Sequence, residues 1–337
     1  MVYPDYQSVE DADIRKDFED KWGRSLDPVK GLTVVEIMDK IHEGGISGMY
    51  VMGENPAMSD PDQNHVRSGL SKLEHLVVQD IFFTETAWFA DVIFPASAQP
   101  EKAGTYTNSN RQVQIAFPAR KPPGESRQDW RLILDLANRC GLNWNYDSVS
   151  EVYEEMASTM SSLNNISWGR LETEGAVCYP ADDENSPGNE ILFAEGFPTS
   201  DGRAKIVPAE LLPPDDVPDE GFPLILTTGR LLEHWHTGAM TRRSTMLEAQ
   251  EPIPTVSMHP KDIKKYGFKR GELVLVETRR GKIKIVLRED RDVSVGMLFI
   301  PFCFTEAPAN FLTNPKLDPF GKIPEFKFCA ANIRKVS

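Results

Sequence analysis

The residues best suited to chemistry lie in one segment, 227–243, which directly follows an apolar run. The segment combines threonine hydroxyls, a glycine and Arg230 with the flat rings of His234, Trp235 and His236. Hydroxyls, exposed backbone N–H groups and a guanidinium are donors that bind phosphate or pyrophosphate, and the rings can stack on a planar ligand. We predict a binding loop for such a ligand. The alternative is a capped turn with a solvated arginine and a core tryptophan.

Four isolated charged residues could contribute to the same kind of site. Asp80 and Asp129 could each accept two hydrogen bonds from a guanine edge, although either could instead be a helix cap or a surface charge. Lys102 could reach a phosphate or simply lie in solvent. Lys327 has a phenylalanine on each side, and a cation in an apolar setting needs an anionic or aromatic partner.

Composition and cysteine spacing exclude several classes of protein. The six histidines show no H-E-x-x-H pattern and the four cysteines no C-x-x-C pair, so we predict no metal or iron–sulfur site in this chain. Scattered cysteines favour a reducing cytosol, and we predict a cytoplasmic protein. A net charge of −14 argues against nucleic-acid binding. We find no signal peptide at the N-terminus and no apolar run of about 20 residues, which predicts no membrane span.

The elements that must position these residues follow an α/β order in the first half of the chain. Strands alternating with helices predict a parallel sheet, in which ligands lie beyond the carboxyl ends of the strands. Residues 53–55 and 79–80 would then face the ligand. The predicted helices cover 10–22, 33–42, 62–73, 85–89 and 129–139, and the predicted strands cover 48–52, 75–79 and 90–95.

The second half of the chain has a different character. Residues 172–222 are rich in proline, glycine and acidic residues, which predicts a surface loop or a linker. A β-rich pattern follows, with one short helix over 259–266, and fits a barrel or a sandwich. The predicted strands cover 222–227, 274–278, 282–287 and 297–302, and the middle two form a hairpin around 279–281.

Six motifs in this order carry a resemblance to a known family. The sequence resembles the molybdopterin oxidoreductases that carry a bis-(molybdopterin guanine dinucleotide) cofactor, in particular formate dehydrogenase catalytic subunits. The resemblance covers nearly the whole chain. Its motifs are Met52–Pro61, Val78–Thr86, Ala90–Pro95, Glu101–Asn108, Thr228–Thr237 and Pro324–Ala330.

This resemblance implies a fold of α/β followed by β. Residues 1–170 would form part of a doubly wound parallel-sheet domain that binds the dinucleotide, and residues 171–221 a linker. Residues 222–337 would form the terminal double-psi β-barrel. The implied cofactor contacts are Glu54, Asn55, Gln79, Asp80, Lys102, Asp129, Thr228, Gly229, Arg230, Leu231, Leu232, Glu233, His234, Trp235, His236, Thr237, Phe302, Asn310 and Lys327.

The same resemblance implies formate oxidation to CO2, with two-electron transfer at molybdenum or tungsten. Family members place an iron–sulfur cluster, the metal ligand and the catalytic residues in a region before the part that this chain resembles. We therefore expect no catalytic residue here and no activity of the chain alone. The expected partners are that N-terminal part, on the same or a separate polypeptide, and an electron-transfer subunit with iron–sulfur or flavin.

Two alternatives remain open at this point. The chain could be the corresponding part of a periplasmic-type nitrate reductase, which shares most of the barrel motifs. It could also be a non-catalytic module that binds pterin or acts as a scaffold in a split complex. The sequence does not distinguish molybdenum from tungsten or name the electron acceptor.

Overall fold

Residues 2–336 are described by a computed structural model, in which helices and strands alternate before a β-rich C-terminal part. Its α-helices are α1 (Ala12–Trp22), α2 (Val34–His42), α3 (Pro56–Ser59), α4 (Gln63–Leu70), α5 (Asp129–Arg139), α6 (Val149–Thr159), α7 (Trp168–Glu174), α8 (Thr245–Gln250) and α9 (Pro260–Tyr266). Its strands are β1 (Val2–Tyr3), β2 (Gln7–Ser8), β3 (Gly48–Met52), β4 (His75–Asp80), β5 (Val92–Pro95), β6 (Gly104–Thr107), β7 (Gln112–Ala116), β8 (Ala176–Cys178), β9 (Leu224–Gly229), β10 (Thr255–Met258), β11 (Leu273–Thr278), β12 (Lys282–Glu289), β13 (Met297–Pro301) and β14 (Cys329–Lys335).

The chain divides into two compact units, each made from two separate stretches of sequence. The first unit contains the chain up to Leu32 together with Pro95–Glu210. The second unit contains Thr33–Phe94 together with the chain from Leu211 onward. The domain division predicted from the sequence, with boundaries at 170 and 221, stays a prediction.

A closed barrel of six strands forms most of the second unit, in the order β10-β12-β11-β14-β9-β13. Strands β11 and β12 pair antiparallel as the predicted hairpin, with Val274 opposite Ile285. Strands β9 and β13 run parallel, with Leu226 opposite Leu298. Alternate residues of these strands point inward, and the barrel core is buried and apolar because strand side chains alternate between faces. The predicted barrel is confirmed.

A small parallel sheet completes the second unit, in the order β3-β4-β5. Strands β3 and β4 run side by side, with Val51 opposite Val78. Helix α2 covers the sheet with a buried apolar stripe, and it starts at a capping box in which Thr33 donates to Glu36 at 2.7 Å. The backbone N–H of Gly53 donates to the carbonyl oxygen of Gln79 at 2.9 Å. The loops after β3 and β4 therefore begin side by side, as the sequence predicted.

The first unit contains a three-stranded antiparallel sheet, β6-β7-β8, that the sequence analysis did not predict. Helices α6 and α7 pack near it around a core that includes Val113, Tyr153 and Leu171. Strand β8 lies in the stretch that was predicted to be a loop or linker, and it pairs with β7. Three residues are too few for a periodic signal, so only tertiary pairing defines this strand.

We predict that Leu226→Ala lowers the free energy of unfolding by about 2–5 kcal/mol, because Leu226 is fully buried and alanine leaves a cavity. Denaturant unfolding with an unchanged slope measures this loss. The control is Leu212→Ala, at a side chain that is 72% exposed, where we expect a change below about 0.5 kcal/mol. Equal effects of the two substitutions would contradict the barrel core described above.

Candidate functional site

A cluster of three basic side chains lies where strand β9 ends, and we call Arg230, His236 and Lys327 the cation cluster. The Nη2 atom of Arg230 lies 3.1 Å from Nε2 of His236. The ammonium of Lys327 donates to the backbone oxygen of Thr228 at 2.7 Å and lies 5.5 Å from the centre of the Phe302 ring. The end of a rigid barrel strand thus gathers residues that are far apart in sequence.

The cation cluster carries positive charge that the described residues do not neutralise. Within residues 2–336, neither Arg230 nor Lys327 forms an ion pair with a carboxylate. Burial lowers the pKa of Lys327, and the charge of Arg230 lowers it further. Burial and Arg230 also lower the pKa of His236, while Glu54 raises it. Because like charges are held together here, an anion would stabilise the cluster.

The loop after β9 is folded back and not extended, since His236 has a φ of 48°. His234 and His236 therefore have different surroundings. His234 is 1% exposed, and its Nε2 lies 3.1 Å from the backbone oxygen of Glu251. Its buried Nδ1 has no hydrogen-bond partner among the described residues. Trp235 is 58% exposed, which rules out the alternative of a core tryptophan.

The remaining predicted residues of this loop have mixed environments. A β-carbon at Gly229 would lie 2.5 Å from the Phe299 ring, so any larger residue there would force that ring to move. Thr228 is buried and its hydroxyl donates to the backbone oxygen of Phe326 at 3.0 Å. Among the described residues, His236 and not Glu233 contacts Arg230. Leu231, Glu233 and Thr237 are half-buried, and Leu232 is exposed.

The loop after β3 carries Glu54 and Asn55, which differ in environment. Glu54 is exposed, whereas Asn55 is buried. The Asn55 amide donates to Glu85 at 2.7 Å and accepts from the backbone and the hydroxyl of Thr86 at 3.1 and 2.8 Å. Asn55 therefore fixes the loop that presents Glu54.

Gln79 and Asp80 end strand β4, and both form hydrogen bonds within the protein. Gln79 is fully buried and accepts a hydrogen bond from the hydroxyl of Tyr50. One carboxylate oxygen of Asp80 accepts from the backbone N–H groups of Ile81 and Phe82 at 2.6 and 3.2 Å. These bonds hold the turn after β4 in one conformation.

Asn310 and Phe302 complete the predicted contacts within the second unit. Asn310 is 4% exposed, and its amide donates to the backbone oxygens of Met58 and Ser59 at 3.0 and 2.9 Å. It therefore ties helix α3 to the barrel. Phe302 is half-buried below the ammonium of Lys327, where its ring stabilises the cation.

The first unit holds the other two predicted contacts, Lys102 and Asp129, as an ion pair. Asp129 is the first residue of helix α5, and the capping position belongs to Gln128. The carboxylate thus lies where the helix dipole favours negative charge.

The sequence analysis missed Arg242, which holds the C-terminal end of the loop after β9. Arg242 donates to Glu248 at 2.7 Å and to Glu306 at 2.7 Å, and its guanidinium lies 4.8 Å from the Phe304 ring. Both carboxylates raise the pKa of Arg242 against the effect of burial. The six-residue spacing to Glu248 was visible in the sequence, but Glu306 is brought close only by the barrel.

No group of three or more histidine, cysteine, aspartate or glutamate side chains within residues 2–336 is placed to hold a metal ion. In the same part of the chain, the helices lack the combined length and apolar character that crossing a membrane requires.

Two family patterns match this sequence. The family described as molybdopterin oxidoreductase matches residues 20–139, and the molydopterin dinucleotide binding domain matches residues 224–330. The second match covers the barrel from the start of β9 through Lys327. The cation cluster therefore lies inside the stretch that matches a dinucleotide-binding domain.

Relatives and a solved structure agree with these matches. The chain is 43% identical to the F420-dependent formate dehydrogenase subunit alpha of Methanocaldococcus jannaschii, over 99% of this chain and 50% of that protein. It is 35% identical to the assimilatory nitrate reductase catalytic subunit of Bacillus subtilis, over 98% and 48%. Acetylene hydratase from Pelobacter acetylenicus has a similar fold, with a TM-score of 0.75 at 18% identity over 99% of this chain and 51% of that chain. The chain thus spans about half the length of the relatives it matches.

We predict that Arg230→Gln raises the pKa of His236, since the charge of Arg230 helps to lower it. Burial still acts in the variant, so we expect the pKa of His236 to move only part of the way towards its usual value near 6.5. Nuclear magnetic resonance titration of the imidazole measures this shift. Arg243→Gln is the matched control in the same loop. If His236 titrates identically in both variants, Arg230 does not influence its pKa and the described contact between Arg230 and His236 is contradicted.

Proposed function

Because this chain belongs to the molybdopterin oxidoreductase family, we propose that it is the cofactor-binding portion of a formate dehydrogenase catalytic subunit. Higher identity to the formate dehydrogenase subunit than to the nitrate reductase, 43% against 35%, supports formate as the substrate of the whole protein. The cofactor is a bis-(molybdopterin guanine dinucleotide) with molybdenum or tungsten. When bound, it supplies two-electron redox chemistry at the metal, and the protein binds and orients it.

The observation that carries this proposal is the unneutralised charge of the cation cluster. The cofactor contains a pyrophosphate, and the guanidinium of Arg230 offers a planar pair of donors that matches phosphate oxygens. Lys327 adds a second positive charge, held in place by Thr228 and Phe302. Burial lowers the pKa of Lys327 and His236, and the charge of Arg230 lowers both further. A pyrophosphate here would relieve the part that is due to Arg230. Arg230 and Lys327 therefore fit the pyrophosphate of this cofactor.

The other predicted contacts have different proposed roles. The Arg230 guanidinium lies 5.6 Å from the centre of the exposed Trp235 ring, and the other face of the ring would stack on a planar part of the cofactor. Glu54 and Asp80 lie at adjacent strand ends, where ligands bind in parallel sheets. Asn55, Gln79 and Asn310 are buried in hydrogen bonds within the protein, so we propose that they position these loops.

We further propose that the first unit contributes to nucleotide binding through Lys102 and Asp129. Their ion pair places a cation beside an acceptor for N–H groups. Lysine could bind a phosphate while the aspartate accepts from a guanine edge.

The proposal also includes the partners of this chain in the whole protein. They are an N-terminal part of the catalytic subunit and an electron-transfer subunit with iron–sulfur or flavin. Formate oxidation would need both of these parts. An assay of the assembled enzyme with formate and with nitrate tests the substrate. Turnover of nitrate without turnover of formate would favour the nitrate reductase alternative.

We predict that Arg230→Lys weakens binding of guanosine diphosphate by the purified chain about tenfold or more, because lysine keeps the charge but loses the planar fork. Isothermal titration calorimetry at fixed salt concentration measures the dissociation constant. The control is Arg243→Lys, whose arginine contacts the backbone of Ala239 and Phe83 outside the cluster. We expect the control to bind like the unaltered chain. Unchanged binding by Arg230→Lys would overturn the proposed pyrophosphate site.

A further inference from the structure

A cavity of about 440 Å³ lies in the second unit beside the end of strand β3. The start of α2, strand β3 and the α3 turn enclose it, and two of its lining residues are the carboxylates Glu54 and Asp60. None of the sequence motifs singled out Asp60 as a contact. The cavity shares no lining residue with the cation cluster.

Asp60 has a carboxylate oxygen that the protein leaves without a hydrogen bond. The residue is only 7% exposed, and its Oδ1 accepts from the hydroxyl of Ser59 at 3.0 Å. Its Oδ2 is buried and has no partner within the described residues. A buried polar atom without a partner is costly, so this oxygen is suited to accept a hydrogen bond from a ligand.

The charge state of Asp60 suits it to N–H donors. Burial raises the pKa of its carboxyl to about 6, and the charge of Glu54 adds to this effect while the hydroxyl of Ser59 opposes it. At pH 7.5 the carboxylate is therefore mostly ionised and acts only as an acceptor. An ionised carboxylate in a partly apolar cavity favours a ligand that presents hydrogen-bond donors.

The walls of the cavity restrict the shape of that ligand. Val34, Val51, Met52 and Pro56 contribute apolar surface to it. Apolar walls together with the carboxylates of Glu54 and Asp60 suit a planar ring whose edge carries adjacent N–H groups. A 2-amino-4-oxopyrimidine ring has such an edge, because its ring N–H and its amino group point in the same direction and match the two oxygens of a carboxylate.

Glu54 also lines this cavity. Its carboxylate adds a second acceptor for the N–H groups of a ring that binds there.

We propose that the cavity binds the 2-amino-4-oxopyrimidine edge of a guanine or pterin ring, and that Asp60 determines the specificity by accepting from the amino group. The inference rests on the proposed function, because both rings occur in the cofactor proposed for this chain. It goes further in assigning base recognition to Asp60, which none of the predicted contacts includes.

The test compares guanosine and inosine monophosphate, which differ only in the 2-amino group, as ligands of the purified chain at pH 7.5. We expect guanosine monophosphate to bind about tenfold or more tightly, since a hydrogen bond to a charged acceptor is lost with inosine. The comparison is made in an Asp129→Asn background, because the Asp129 carboxylate is also proposed to accept from a guanine edge. In that background Asp60→Asn should remove the preference, because the amide keeps the size of the side chain but loses the charge. Asp62→Asn is the matched control, since asparagine can still cap helix α4, and the preference should remain.

A parallel titration with 6-hydroxymethylpterin distinguishes the two sources of the ring. Pterin binding that depends on Asp60, without a guanosine preference, assigns the cavity to the pterin and supports the proposal. A guanosine preference that depends on Asp60 assigns it to guanine. If the Asp129→Asn chain shows neither, or if both survive when Asp60→Asn is added, the proposal is overturned. In that case, weaker binding of guanosine diphosphate by Arg230→Lys would still support the proposed pyrophosphate site. The failure of the Asp60 proposal is thereby distinguishable from the failure of the proposed function.

Discussion

The positive charge at the end of strand β9 is the feature of the second unit on which the proposed binding of a pyrophosphate depends. Arg230 and Lys327 are separated by nearly 100 residues, and the pairing of β9 with β14 brings them to the same end of the barrel. Arg230, His236 and Lys327 are all exposed, so water screens part of the repulsion between their charges. A pyrophosphate bound there would offset the repulsion that remains.

Rigid packing keeps this arrangement in place. The alternating apolar residues of the barrel fix the direction in which β9 ends, and Gly229 allows that strand to pass the ring of Phe299. Asn310 ties helix α3 to the barrel, and Asn55 holds the loop that carries Glu54. Asn310 and Asn55 were expected to contact the cofactor, but they instead hold the loops that would contact it. Supporting residues of this kind are common in preorganised binding sites.

Sequence alone predicted the elements whose signals are local. The stripe of α2, the apolar runs of β3 and β4, and the hairpin of β11 and β12 have periodic patterns, and the structure contains all of them. The missed strands are β1, β2, β6, β7, β8, β10 and β14. Among them, β8 has only three residues and β14 lacks strong alternation. The burial of His234, the pairing of Arg242 with Glu306 and the unpartnered oxygen of Asp60 depend on contacts between distant residues. No local pattern in the sequence could reveal them.

The central claim is that the cation cluster binds the pyrophosphate of a guanine dinucleotide. A crystal structure of the chain with guanosine diphosphate tests it most directly, because it locates both phosphates. The account predicts phosphate oxygens within hydrogen-bond distance of the Arg230 guanidinium and the Lys327 ammonium. Phosphates bound elsewhere on the second unit, with Arg230 and Lys327 making no contact to them, would contradict it.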